Sequence, residues 1–145
     1  MKLSGREATR YFRTPDPDKT GLLIFGADGM RVALRRQEVI RAIVGPEGEA
    51  EMRLTRLSGA TLRKEPAALL DGVKATGFFP GPRVVFVEDA TDGLKDVFAR
   101  AFEDWAPGDA QIVATSGALA ARSGLRKLFE AGRGTVAIGI YDDPP

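Results

Sequence analysis

The chain has 145 residues, of which 43% are hydrophobic and 28% are charged, as expected of one globular domain with a sizeable core. Its 21 lysines and arginines nearly balance 20 acidic residues, and the net charge of +1 excludes the global basic field of a stand-alone nucleic-acid-binding protein. It contains no cysteine and no histidine, which excludes disulfides, Ser-His triads and zinc sites built from those residues.

The first twenty residues predict a polar lead that ends in a Pro15-Asp16-Pro17-Asp18 turn. Residues 1–7 are polar and charged, unlike a signal peptide, and no apolar run in the chain approaches the roughly 18 residues of a membrane span. We therefore expect a cytoplasmic protein with no membrane partner.

A strand, a helix and a second strand are predicted next. Residues 21–26 form a short apolar run bounded by glycines, which is typical of a buried strand. Residues 29–44 place apolar side chains at helical spacing, with Asp28 as N-cap and Gly45-Pro46 as the stop. Residues 51–57 alternate polar and apolar, which predicts a strand with one covered face.

The second half continues the alternation of helices and strands. The predicted elements are a helix over residues 66–76, a strand over 84–87, a helix over 94–105, a strand over 111–115, a helix over 123–131 and a strand over 135–140. Five strands that alternate with helices predict a mainly parallel sheet in an α/β domain with helices on both faces. We assign residues 1–140 to this domain and interpret residues 141–145, rich in acids and prolines, as the start of a linker.

Two features of the sequence test for nucleotide chemistry. The turn after the first strand, residues 25–31, lacks the Gly-Lys-Ser/Thr of a phosphate-binding loop, and the Asp28 carboxylate would repel an anion there. Glu88 and Asp89 end the third strand as a magnesium-binding acidic pair would, although capping of the following helix is the preferred interpretation. A small nucleotide-dependent ATPase or phosphotransferase that uses this pair is kept as the alternative function.

Basic residues cluster in two places. One cluster lies along the first helix and the other near the last helix, and their members are Arg31, Arg35, Arg36 and Arg41, then Arg122, Arg126 and Lys127. Solvated helix faces explain such clusters. The alternative is a salt-dependent contact with a partner subunit or a DNA backbone.

Two phenylalanines, Phe78 and Phe79, lie within the turn residues of the segment 77–82. Each ring carries roughly 150 to 250 Å² of buriable surface, and Pro80 to Pro82 stop both the preceding helix and the next strand. The rings are therefore predicted at a loop tip. They either fold back onto their own domain or dock on a partner protein.

In the ordered combination of its segments, the chain resembles the N-terminal domain of the delta subunit of the bacterial DNA polymerase III clamp loader. The similarity spans nearly the whole chain. It rests on the strand 22–26 without a phosphate-binding lysine, on Gly77-Phe78-Phe79 followed by residues 83–90, and on residues 109–113 and 122–129.

The resemblance implies a three-layer RecA/AAA+-like domain without a functional P-loop, cofactor or ATPase activity. Such a subunit serves a DNA-directed DNA polymerase, which is a nucleotidyltransferase, by binding its sliding clamp and opening the ring for loading onto primed DNA. Its implied partners are the clamp (the beta subunit), other clamp-loader subunits and primed DNA in the full complex, and this chain alone is expected to be monomeric.

The resemblance also assigns site residues. Phe78 and Phe79 match the family's hydrophobic plug, which enters a pocket on the clamp. Lys74 and Gly77 stand where some members carry the glutamine and serine of the clamp-binding motif, so the polar part of that motif is absent.

Overall fold

The computed structural model describes residues 1–141 and contains one parallel six-stranded sheet. Its strands are β1 (Lys2–Leu3), β2 (Gly21–Phe25), β3 (Leu54–Ser58), β4 (Val84–Glu88), β5 (Gln111–Ser116) and β6 (Thr135–Gly139). Its helices are α1 (Gly5–Arg13), α2 (Gly29–Val44), α3 (Gly59–Lys64), α4 (Ala67–Lys74), α5 (Lys95–Asp104) and α6 (Gly124–Ala131), with a 3₁₀ turn at Asp92–Leu94.

The sheet has the strand order β1-β6-β2-β5-β4-β3. Strand β2 lies between β5 and β6, and Leu23 pairs with Ala114 on one side and Ala137 on the other. Successive side chains of a strand point to opposite faces, so Leu23 and Phe25 enter one core while Leu22 and Ile24 enter the other. Burial on both faces is the reason that the central strands are apolar throughout.

Helices cover both faces of the sheet and give the domain three layers. On one face α1 and α2 bury Phe12, Val39 and Ile40 against the strands. On the other face α3 to α6 build a larger core in which the Phe98 and Phe129 rings lie 5.4 Å apart in an edge-on contact. The predicted α/β architecture is confirmed.

The predicted count of five strands was wrong, because the segment interpreted as a polar lead contains both β1 and α1. Strand β1 has only two residues, of which Leu3 alone is buried, and so it carries no readable alternation. Helix α1 buries only Ala8 and Phe12 among charged neighbours, which leaves a weak apolar pattern in the sequence.

Two predicted boundaries also differ from the structure. The single helix predicted over residues 66–76 is preceded by a separate helix α3, whose N-terminus is capped by the Ser58 hydroxyl accepting from the Thr61 amide at 3.0 Å. Pro66 separates the two helices, since the residue before a proline avoids helical dihedrals. The strand predicted from residue 51 begins at Leu54, because Met52 adopts a left-handed φ of 57° within a turn.

The described residues end at Tyr141. Residues 142–145 of the predicted linker lie outside them, so the division at residue 140 stays a prediction. Among residues 1–141, no helix combines the length and apolarity that crossing a membrane would require.

The turn after β2 provides a test of how closely the sheet is packed. A Cβ atom at Gly26 would overlap the carbonyl oxygen of Ile140, whereas a Cβ at Gly29 would meet no atom within 4 Å. We expect Gly26→Ala to lower the free energy of unfolding by about 1 to 3 kcal/mol, as overpacking does, and Gly29→Ala to leave it unchanged or slightly raised. Urea denaturation followed by circular dichroism measures both, and equal stabilities for the two variants would contradict this packing.

Candidate functional site

The loop between α4 and β4, residues 75–83, carries the predicted phenylalanine pair, and we call it the Phe loop. The Phe78 side chain is 100% exposed and the Phe79 side chain is 48% exposed. Neither belongs to the two cores, so the rings do not fold back to close the end of their own domain. The exposure is what a docking role requires, since burying such rings in a partner removes a large apolar area from water.

The C-terminal base of the Phe loop is fixed by Arg53, just before the edge strand β3. Its Nη1 donates to the carbonyl oxygen of Pro82 at 2.9 Å, and its Nε donates to Oε1 of Glu51 at 2.8 Å. The Arg53 side chain is only 10% exposed, and the backbone also pairs there, with the Val84 amide donating to the Arg53 carbonyl. The loop therefore enters β4 from a fixed point.

The N-terminal base of the Phe loop is fixed by Lys74, the last residue of α4. Its ammonium donates to the carbonyl oxygen of Asp104 at 2.6 Å and to Oδ2 of Asp109 at 2.5 Å. Asp109 also accepts from the Ala106 amide at 2.8 Å. Burial acts to raise the pKa of Asp109, but the hydrogen bonds from Lys74 and Ala106 outweigh it and hold that pKa below its usual value.

Two cationic anchors thus hold a short loop with an apolar tip. Ordering a flexible segment on binding costs conformational entropy, and a loop fixed at both ends has less of it to lose. Gly77 is exposed, and a Cβ added there would meet no atom within 4 Å. Lys74 points its ammonium into this domain, and its role here is to position the loop. Its predicted contact with a partner stays a prediction.

Sequence reasoning missed Arg53 as part of this site. It is separated from Pro82 by 29 residues and meets it only because β3 pairs with β4. No local sequence motif predicts such a contact. Only the prediction that β3 and β4 are neighbours could have indicated it.

A phosphate-binding loop would lie at the other end of the parallel strands, in the turn after β2. The Asp28 carboxylate accepts from the backbone amides of Met30 at 3.0 Å and Arg31 at 3.3 Å, so the predicted N-cap of α2 is confirmed. The Gly26 amide donates to the Ser116 carbonyl at 3.3 Å. Backbone amides that a phosphate would use are therefore already occupied by groups of the chain itself.

A cleft of about 220 Å³ lies beside this turn and is lined in part by Arg36, Glu88 and Asp89. Its volume is below the roughly 300 to 1,000 Å³ of small-molecule sites. Within residues 1–141, no group of three or more acidic side chains lies close enough together to hold a metal ion. Glu88 and Asp89 bring two negative charges to the lining of this cleft, and Arg36 brings one positive charge.

The predicted capping role of Glu88 and Asp89 was wrong. Within residues 1–141 neither carboxylate accepts a hydrogen bond from a helix N-terminus, and Asp89 adopts a left-handed φ of 57°. The 3₁₀ turn and helix α5 that follow β4 have no side-chain cap. Asp92 supports the start of α6, where Ser123 is the N-cap, by accepting from the Ser123 hydroxyl at 2.5 Å and the Leu125 amide at 3.1 Å. These two hydrogen bonds lower the pKa of Asp92 against the opposing effect of burial.

The two predicted basic clusters are not uniform solvated faces. Arg126 is buried, pairs with Glu130 at 3.1 Å and lies over the Phe25 ring at 4.9 Å. Arg36 lies over the Phe86 ring at 4.7 Å, and burial lowers its pKa from the ordinary value. Both guanidinium groups therefore serve packing within the domain. Arg122 and Lys127 remain exposed.

Comparison with known proteins bears on the fold. Neither the protein-family models nor the curated protein sequences contain a match to this chain. Its fold is similar to that of a solved DNA polymerase III gamma subunit-related protein from Thermotoga maritima, with a TM-score of 0.56 and 14% sequence identity. The similarity covers 87% of this chain and 42% of that one, so the chain spans less than half the length of this structural neighbour. The RecA/AAA+-like α/β fold predicted from the sequence is thereby confirmed.

The Lys74–Asp109 pair can be tested by titration. We expect Lys74→Met to raise the pKa of Asp109 toward its ordinary value, because the ammonium that stabilises the carboxylate is removed. In the wild type, the stabilising contribution of the ionised Asp109 is complete above the unfolded-state pKa and is lost as the pH falls through the lower folded-state pKa. Carboxyl-carbon NMR titration reports the shift, and an unchanged Asp109 pKa in the variant would contradict the pairing.

Proposed function

We propose that this chain is a non-catalytic clamp-loader protein, of the delta type, that docks on the sliding clamp of a DNA polymerase III holoenzyme through the Phe loop. One observation carries the proposal: Phe78 and Phe79 are exposed at the tip of a loop whose two ends are fixed by Lys74 and Arg53. The resemblance of the sequence to delta subunits and the similarity of the fold to a gamma subunit-related protein support it.

An apolar anchor that fills a pocket can supply most of the energy of an interface. Buried aromatic hot spots are each worth about 2 kcal/mol or more on truncation. Phe78 and Phe79 meet the requirement on this side of the interface, since both rings are available to a partner. The clamp pocket would have to be apolar and deep enough to take two adjacent rings.

Opening the clamp requires more than docking on it. A ligand shifts a conformational equilibrium only by the difference between its affinities for the two states. A domain that binds the open clamp interface more tightly than the closed one would therefore favour the open ring without any bond chemistry. The fixed ends of the Phe loop suit this task, because a mobile loop could adapt to the open and the closed clamp and bind both with similar affinity.

We propose that ATP acts on other subunits and not on this chain. The Asp28 carboxylate occupies amides at the N-terminus of α2, and the cleft nearby is smaller than an ordinary small-molecule site, so neither feature favours a nucleotide. The alternative, an ATPase or phosphotransferase that uses Glu88 and Asp89, would need the Asp28 side chain to leave its cap. Other clamp-loader subunits and primed DNA are the further partners of this proposal.

The experiment compares binding of wild type and Phe78→Ala/Phe79→Ala to an immobilised bacterial sliding clamp by surface plasmon resonance. From hot-spot magnitudes we expect the variant to bind at least about 100-fold more weakly. Because both side chains are exposed, the variant should retain the circular dichroism spectrum and stability of the wild type.

A matched control removes two other exposed apolar side chains. Met30 and Leu34 of α2 are 75% and 59% exposed, and Met30→Ala/Leu34→Ala should bind the clamp as the wild type does. Equal losses in the two variants would point to nonspecific apolar adhesion. No binding by the folded wild type would reject clamp docking, and an ATP titration would then test the alternative function.

A further inference from the structure

Helix α1 carries three arginines on one side. Arg6, Arg10 and Arg13 follow a spacing of four and three residues, which places them within about 60° of one another around the helix axis. They lie opposite Ala8 and Phe12, which are buried in the core, and they line one open groove of about 570 Å³. We call these three residues the arginine stripe.

The arginine stripe has no partner within the domain. Among residues 1–141, no carboxylate lies within ion-pair distance of Arg6, Arg10 or Arg13. Like charges at these spacings destabilise a helix. The helix dipole disfavours Arg6 in the first turn and favours Arg10 and Arg13 in the last turn. The stability of α1 therefore explains part of the stripe but not the alignment of all three arginines on one side.

The stripe belongs to a strongly basic layer of the molecule. Helices α1 and α2 together contain seven arginines, two glutamates and no lysine, which gives them a net charge of +5. The whole chain has a net charge of +1, so the rest of the chain carries a net charge of −4. A net positive charge concentrated in one layer is the electrostatic footprint expected of a nucleic-acid-binding surface.

We infer that the arginine stripe binds the phosphate backbone of duplex DNA. Arginine suits phosphate, because its planar guanidinium can donate two parallel hydrogen bonds. From Arg6 to Arg13 the helix advances about 10 Å, and a duplex presents about three phosphates of one strand over that length. Three guanidinium groups thus face about three phosphates.

A membrane surface fits the stripe less well. A helix that lies on a bilayer inserts its apolar face among the lipids. The apolar residues of α1, Ala8 and Phe12, are instead 6% and 1% exposed in the core. The contact also differs from clamp docking, because α1 lies on one face of the sheet and α4, which leads into the Phe loop, lies on the other.

The experiment measures fluorescence anisotropy of a labelled 20-base-pair duplex against the full chain between 50 and 200 mM KCl. The test variant is Arg6→Gln/Arg10→Gln/Arg13→Gln. Its matched control is Arg122→Gln/Lys127→Gln/Arg133→Gln, which removes the same charge from exposed positions at and around α6. A third variant, Arg6→Lys/Arg10→Lys/Arg13→Lys, keeps the charge of the stripe.

We expect the wild type to bind with a steep salt dependence and the stripe-to-glutamine variant to bind at least about tenfold more weakly at 50 mM KCl. Loss of three phosphate contacts should reduce the slope of log K against log salt by about 2.7. The lysine variant should keep most of the slope, and the α6 control should bind within about twofold of the wild type.

Three results would overturn the inference. One is the absence of duplex binding by the wild type at 50 mM KCl, and another is an equal loss in the stripe variant and the α6 control. The third is stripe-dependent binding to phosphatidylserine vesicles without binding to the duplex. None of these results bears on clamp docking, which the Phe78 and Phe79 variant tests separately.

Discussion

Burial of the central strands on both faces decides where this chain can present a binding surface. Strands β2, β5 and β6 are almost wholly inaccessible, because helices cover them from either side. Partners can therefore reach the outer faces of the helices and the loops at the two ends of the parallel strands. The Phe loop precedes β4 and so lies at the end of the sheet where the strands begin. The turn after β2 lies at the end of the sheet where the strands finish.

The two ends of the sheet differ in which chemical groups they leave exposed. At the end of β2, the Asp28 carboxylate and the Ser116 carbonyl satisfy amides that an anion would otherwise attract. At the start of β4, side chains from distant parts of the chain support a loop whose tip stays unpaired with the domain. The chain thus satisfies its own polar groups where related folds hold phosphates and leaves apolar surface where a protein can dock. A protein-docking role needs exposed apolar surface, whereas a phosphate-binding role would need free backbone amides after β2.

Much of this fold could be predicted from the sequence wherever burial leaves a strong local pattern. The run from Val84 to Val87 and the helix capped by Asp28 were predicted close to their observed limits, since continuous apolarity and a cap residue are local signals. Strand β1 and helix α1 were missed because each buries only one or two side chains. Their residues take their structure from packing against β6 and α2.

In the candidate site, too, features with a local sequence signal were predicted and features set by long-range packing were missed. The loop-tip position of the phenylalanines was predicted because two large rings among turn residues are a local anomaly, but the choice between folded-back and exposed rings was left open. The anchoring of the loop by Arg53 depends on strand pairing across 29 residues. Lys74 was named from the resemblance, but the contact of its ammonium with Asp109 depends on how α4 meets the turn before β5. Long-range pairing of charges carries no sequence motif, and only the folded chain brings these groups together.

We propose that the Phe78 ring enters the sliding clamp. The most direct measurement is photo-cross-linking, with p-benzoylphenylalanine incorporated at position 78 in one protein and at position 30 of α2 in another. If the Phe78 ring docks in the clamp, irradiation yields a covalent adduct from position 78 that maps to one apolar pocket of the clamp, and none from position 30. Adducts from both positions, or from position 30 alone, would contradict it.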